Sequence, residues 1–276
     1  MSSGVKRDRD GNARAKGPGG YKQQQPRGRF HDMFEGFRDE LDQHHDRRER
    51  IVKASRDVTA QSKKIIFALQ RSDSLQPISS MTAHISIESS SSTRISPNIQ
   101  QDMDTRLAEI AKLLEGIAPD LQNVNRYRYT SPLRCLEEFV EALSFAHYLR
   151  HQKLITPEET QKAMPADISL TPNDYMYGVF DLFGELMRFA TVTTAQTGEL
   201  AGVDDRNIMG DIQELGCAFE ILPDVPTKDW RGKMGAMRQS VKKVEKLGYG
   251  LVVRGSERPK GWVPDMKDDA PEPASP

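Results

Sequence analysis

The stretch FRDELDQHHDRRERIVKASRDVTAQSKKIIFALQR, residues 37–71, contains neither proline nor glycine. With Phe34 just ahead of it, the apolar positions are Phe37, Leu41, Ile51, Val52, Val58, Ile65, Ile66 and Leu69. Steps of three and four recur among them, which is the spacing of one helix face. The spacing predicts a single helix of more than 30 residues, where an ordinary helix has about 11–12. A helix that long needs partners along its length, and a bundle supplies them.

The rest of the chain repeats the pattern. Met103, Leu107, Ile110, Leu114 and Ile117 mark a second helix that ends near Pro119. Leu133, Leu136, Val140, Leu143 and His147 mark a third, with Ser131 and Pro132 expected as N-cap and first helical residue. Thr171-Pro172 opens a fourth in the same way, running to about Thr194. Ile208, Ile212, Leu215 and Phe219 mark a fifth, and a sixth runs from about Thr227 to Val253. No series of short alternating segments is present. The fold class is therefore all-α, a helical bundle of about six to seven helices.

Composition sets the limits of this bundle. Hydrophobic residues are 37% and charged residues 29% of the 276, polar for a globular chain and consistent with disordered appendages around a core. Residues 1–30 hold eight Lys/Arg and two Asp, and the other 246 carry a net charge of −7. This organisation predicts a disordered basic arm over 1–29, a helical domain over 30–263 and an acidic tail over 264–276. The domain is interrupted by a flexible Ser/Thr-rich insertion over about 72–98. The arm reads equally as a nuclear-targeting or nucleic-acid tether and as a solubilising tail. The longest apolar run, Ile65–Leu69, has five residues, far below the roughly 20 of a membrane helix. The charged start gives no secretory signal, and two cysteines exclude a multi-thiolate zinc site or a disulfide framework. An intracellular location is expected.

Acids on two of the helices stand out. With Leu133 at zero on a helical wheel, the main stripe of the third helix spans about 280–360°. Phe145, Tyr148 and Leu149 form a second face at about 60–160°, and Glu138 and Glu141 share it. Glu137 lies nearer the edge. On the fourth helix Asp181 and Glu185 sit one turn apart, outside a wide apolar arc, flanked by Tyr177 and Arg188. Like charges at that spacing cost a few tenths of a kcal/mol, which solvent, Arg188 or a cation must offset. If the helices face each other, Glu138, Glu141, Asp181 and Glu185 pool around Mg²⁺ or Mn²⁺, hard cations that select oxygen. The bland alternative is plain surface acid on amphipathic helices.

Other patterns carry less. No Glu-x-x-His accompanies Glu138-x-x-Glu141, which disfavours an iron–carboxylate bundle. His44 and His45 point about 100° apart on a helix. There is no P-loop and no nucleophile elbow. Cys135 sits in an apolar stripe and reads as core. Arg47, Arg48, Arg50, Lys53, Arg56, Lys63 and Lys64 form a basic stretch suited either to phosphates or to solvent.

Four segments together resemble the translin family: ELDQHHDRRERIVKASRDVTAQSKKIIFALQR (40–71), LEEFVEALSFAHYL (136–149), LTPNDYMYGVFDLFGELMRFA (170–190) and MRQSVKKVEKLGYGLVVRGSERPK (237–260). The resemblance covers roughly 30–71 and 103–262. It implies a subunit that joins translin in a closed hetero-oligomeric shell, a Mg²⁺-dependent endoribonuclease acting on enclosed RNA. On that likeness this chain is the catalytic subunit, its acids Glu138, Glu141, Asp181 and Glu185 holding Mg²⁺. Single-stranded or short structured RNAs, such as small-RNA passenger strands or pre-tRNA fragments, are the implied substrates, and cytoplasm and nucleus the implied locations. The polar insertion at 72–98 is longer than the family pattern and the 156–170 segment is short, so the docking surfaces are in question while the acids are untouched. Two other readings stay open. One is a non-catalytic scaffold or nucleic-acid-binding partner that stabilises translin. The other is DNA binding through the basic arm.

Overall fold

The computed structural model describes residues 28–71, 95–165, 167–203 and 206–254. The expected arm up to residue 27, the insertion over 72–94 and the tail over 264–276 lie outside the described residues. Among the described residues there are eight α-helices: α1 His31–Gln70, α2 Pro97–Ile117, α3 Asn125–Arg128, α4 Cys135–His151, α5 Pro157–Lys162, α6 Pro172–Thr197, α7 Ile208–Glu220 and α8 Lys228–Arg254. A two-residue antiparallel ladder, β1 Gly202–Val203 with β2 Arg206–Asn207, precedes α7. The six long helices are those the periodicity predicts. α3 and α5 are too short to show a period. None of the described helices is long and apolar enough to cross a membrane.

The contacts divide the chain into two compact units, residues 1–46 and 47–276. In the first unit, Met33, Phe34, Phe37 and Leu41 are exposed along α1, with Phe34 and Phe37 in edge-to-face contact at 6.0 Å. In the second, Ile51, Val58, Ile65 and Leu69 of α1 are buried in the core.

The helix ends follow local chemistry. Ser131 and Pro132 form a 3₁₀ turn rather than opening α4, which begins three residues later at Cys135. α2 starts at Pro97, so the last residues of the expected insertion already belong to helix, and Ile95 before it is buried. α5 and α6 each start with a Thr-Pro pair in a reciprocal capping box, Thr156 with Glu159 and Thr171 with Asp174. Such boxes satisfy two otherwise orphaned N–H groups. α6 ends at Gly198, whose φ of 76° turns the chain while its N–H reaches the Thr194 carbonyl at 2.8 Å.

α6 is the hub, packed against α4, α7 and α8. Aromatic edges lock these contacts: Phe145 on Phe189 at 5.9 Å, Phe183 on Phe219 at 5.4 Å, and Phe180 between Phe219 at 4.6 Å and Trp230 at 5.2 Å. Burying each such ring is worth roughly 1.5–3 kcal/mol. α4 is buried almost all round, from Leu136 and Val140 on one side to Phe145, Tyr148 and Leu149 on the other. The two faces of its helical wheel are thus both core. α4 and α6 cross at Gly178, where an added Cβ would lie 2.6 Å from Val140 Cβ and 2.7 Å from the Glu137 carbonyl oxygen. Only glycine permits this approach, and the acids sit within a turn or two of it.

Candidate metal and nucleic-acid site

The α4–α6 crossing places Glu138 and Glu141 opposite Asp181 and Glu185. All four line one open cavity of about 450 Å³, together with Lys63 and Phe67 of α1, Arg188 of α6 and Ser240 of α8. The two helices do face each other, and the four acids share one cavity wall.

Each acid has a different environment. Glu141 is only 7% exposed. Burial first, and then the charges of Asp181, Glu138 and Glu185, push its carboxyl up to about 8. Glu138 lies 3.3 Å from the Lys63 ammonium. Asp181 accepts a 2.7 Å hydrogen bond from Lys233 Nζ, which also donates to the Tyr177 carbonyl at 3.2 Å and lies 3.4 Å from Glu137. Burial raises the Glu137 carboxyl, with Lys233 and Arg134 opposing that shift. Glu185 accepts from Gln70 Nε2 at 2.7 Å and pairs with Arg188 at 3.2 Å.

The donor set suits a hard divalent cation. Four carboxylates line the cavity, and burial first and then neighbouring acids disfavour the charge on one of them, Glu141, a penalty that nearby positive charge relieves. The Gln70 side-chain amide oxygen, Oε1, is buried with no hydrogen-bond partner, while its Nε2 donates to Glu185; an amide oxygen is of the type these cations bind. As placed, three of the acids are turned to protein cations or an amide. Among the described residues no three His, Cys, Asp or Glu side chains stand close enough together, as placed, to hold a metal ion, so a cation here would need these side chains to turn toward it. An open arrangement matches Mg²⁺, which keeps several waters and takes few carboxylates directly.

Sequence reasoning did not reach Lys233, Gln70 or Phe67 as members of this site. For Lys233 a signal existed: it falls three residues after Trp230 and four before Met237, inside the apolar stripe of α8. A lysine there must find an acid or lose its solvation. A buried ion pair fixes the start of α6. Arg126, 4% exposed, donates to Asp174 and, at 3.0 Å, to the Ser169 carbonyl. Asp174 also accepts the Thr171 N–H at 2.9 Å. Cys135 is buried in the core and burial lifts its thiol to about 11, which removes it as a nucleophile. The histidines at 44 and 45 belong to the first unit, on α1, and the four acids to the second.

A model of the translin family matches residues 46–255, three-quarters of the chain. The chain belongs to the translin family. Among its family relatives, the rat protein named Translin-associated protein X is 30% identical over 258 residues, covering 84% of this chain and 82% of that one. The Schizosaccharomyces pombe Translin-associated protein X homolog is 26% identical over 229 residues, covering 82% and 89%. The fold is shared with two solved structures, apo-NeC3PO (TM-score 0.56, 16% identity, 79% of this chain and 96% of that chain) and AfC3PO (TM-score 0.52, 17% identity, 80% and 97%).

Proposed function

We propose that this chain is the catalytic subunit of a hetero-oligomer with translin, a Mg²⁺-dependent endoribonuclease that cuts short RNAs. The observation that carries this reading is the convergence of Glu138, Glu141, Asp181 and Glu185 on one open cavity with cations at its mouth. Membership of the translin family, and relatives whose name declares association with translin, support the partnership.

Glu138, Glu141, Asp181 and Glu185 would hold Mg²⁺ or Mn²⁺. When bound there, such an ion supplies charge neutralisation at a phosphodiester and a lower pKa for an attacking water. The chain's own residues do the rest. Lys63 and Arg188, both about half exposed, draw the RNA phosphate to the cavity. A carboxylate of the cluster accepts the water's proton as general base. The Gly178 crossing keeps the two acid-bearing helices in register, and the Arg126–Asp174 pair anchors the start of α6, which is the positioning that catalysis needs. Small-RNA passenger strands and pre-tRNA fragments are the substrates, and nucleus and cytoplasm the locations, that the family likeness suggests.

A second reading has one observation in its favour: Lys63, Lys233 and Arg188 already pair with three of the acids. A self-neutralised cluster would suit a non-catalytic scaffold that stabilises translin. The full chain co-expressed with translin and given a short labelled RNA separates the two. Cleavage with Mg²⁺ that disappears in EDTA and in Glu138→Ala/Glu141→Ala, with the complex still assembled, is the expected result. Cleavage that survives the double substitution moves the active site elsewhere and leaves the scaffold.

A further inference from the structure

Phe67 is 54% exposed although it follows Ile65 and Ile66 and precedes Ala68 and Leu69, all buried. A single exposed apolar side chain is ordinary. This one is set apart by its position. It lines the same cavity as the four acids. Lys63, one turn before it, is paired with Glu138 at 3.3 Å. Arg71, one turn after it, donates from Nε to the Phe67 carbonyl at 3.2 Å and is exposed. Cation, aromatic ring and cation thus follow one another four residues apart, Lys63 and Phe67 in the cavity wall and Arg71 just past the end of α1.

That order matches what single-stranded nucleic acid requires, a π-face for a base between cations for the phosphates on either side. A base inside a duplex has both faces stacked and cannot use an exposed ring, so the ring selects an unpaired nucleotide. We propose that Phe67 is the base-stacking residue of the site, holding one unpaired RNA base at the cavity mouth while Lys63 and Arg71 contact the flanking phosphates. This deepens the nuclease reading and rests on it for the identity of the ligand as RNA.

The test uses the full chain in its complex with translin and single-stranded RNAs carrying one 2-aminopurine, moved along the strand. Binding is followed in EDTA, so that no turnover is needed, and cleavage is measured separately with Mg²⁺. Stacking on Phe67 predicts strong fluorescence quenching at one position. Phe67→Ala and Phe67→Leu should both lose it and weaken binding by about 5- to 100-fold, while Phe67→Trp retains it. An abasic nucleotide at that position should bind wild type and Phe67→Ala alike. Wild-type behaviour of Phe67→Leu overturns the proposal, because apolar bulk alone would then suffice. So does dissociation of the complex by Phe67→Ala, which would show a protein surface covering the ring. Absence of cleavage by the wild-type complex with quenching intact defeats the nuclease reading and leaves the stacking contact standing.

Discussion

Two glycines of α6 allow the same substitution to be made with opposite expected signs. Gly178→Ala and Gly184→Ala each gain about 1 kcal/mol of helix propensity. At Gly184 nothing lies within 4 Å of an added Cβ, so that gain is realised and the variant is stabilised by up to about 1 kcal/mol. At Gly178 the new methyl meets Val140 Cβ at 2.6 Å and the Glu137 carbonyl oxygen at 2.7 Å. Neither atom is the end of a flexible side chain, so α4 and α6 must separate by most of an ångström. Overpacking of that kind costs about 1–3 kcal/mol, and a backbone obstacle puts it at the upper end. The net effect expected is a loss of about 1–2 kcal/mol. Because Asp181 lies one turn beyond the crossing, the proposed RNA cleavage should fall as well. Urea denaturation of the full chain followed by circular dichroism measures both shifts. If the two variants move in the same direction, or if Gly178→Ala is as stable as wild type, the close crossing that brings the acids together is refuted.

Three further outcomes follow from the same geometry. Asp174→Asn leaves the buried Arg126 guanidinium poorly compensated and should cost about 3–5 kcal/mol, read as a lower denaturation midpoint; an unchanged midpoint would deny the pair its role at the start of α6. In chelated protein, Glu141→Gln removes a carboxyl whose folded value, about 8, lies above its ordinary 4.5. The penalty it relieves is absent below about pH 4.5 and grows until about pH 8. The gain at pH 7 should therefore be about 1–3 kcal/mol, and a lower melting temperature for the variant in EDTA would contradict it. Of the two thiols, exposed Cys217 should react with a thiol reagent in the folded protein and buried Cys135 only after denaturation; two rapidly reacting thiols would mean that α4 is not in the core.

Much of this architecture is legible in the chain itself. Steps of three and four locate the six long helices, and Thr171-Pro172 marks the start of α6 because its capping chemistry is local. The four acids are also visible, since Glu138 and Glu141 share one helix face and Asp181 and Glu185 another. What periodicity cannot convey is which helices meet. α4 shows two apolar faces on the wheel, and only packing reveals that both are core and that Glu141, on the second of them, is buried. Lys233 reaches Asp181 across 52 residues, and the Arg126–Asp174 pair spans 48. Neither pairing leaves a trace at helical spacing. The Ser131-Pro132 signal was genuine turn chemistry, but it serves a 3₁₀ turn ahead of α4. α3 and α5, four and six residues long, are too short for a period to exist.

The central claim is that acids from two different helices form one cation site. Mn²⁺ titrated into the full complex, with free ion followed by electron paramagnetic resonance, tests it without relying on turnover. The account predicts saturable binding to wild type that is lost in Glu141→Gln on α4 and equally in Asp181→Asn on α6. Binding that survives both substitutions would contradict it.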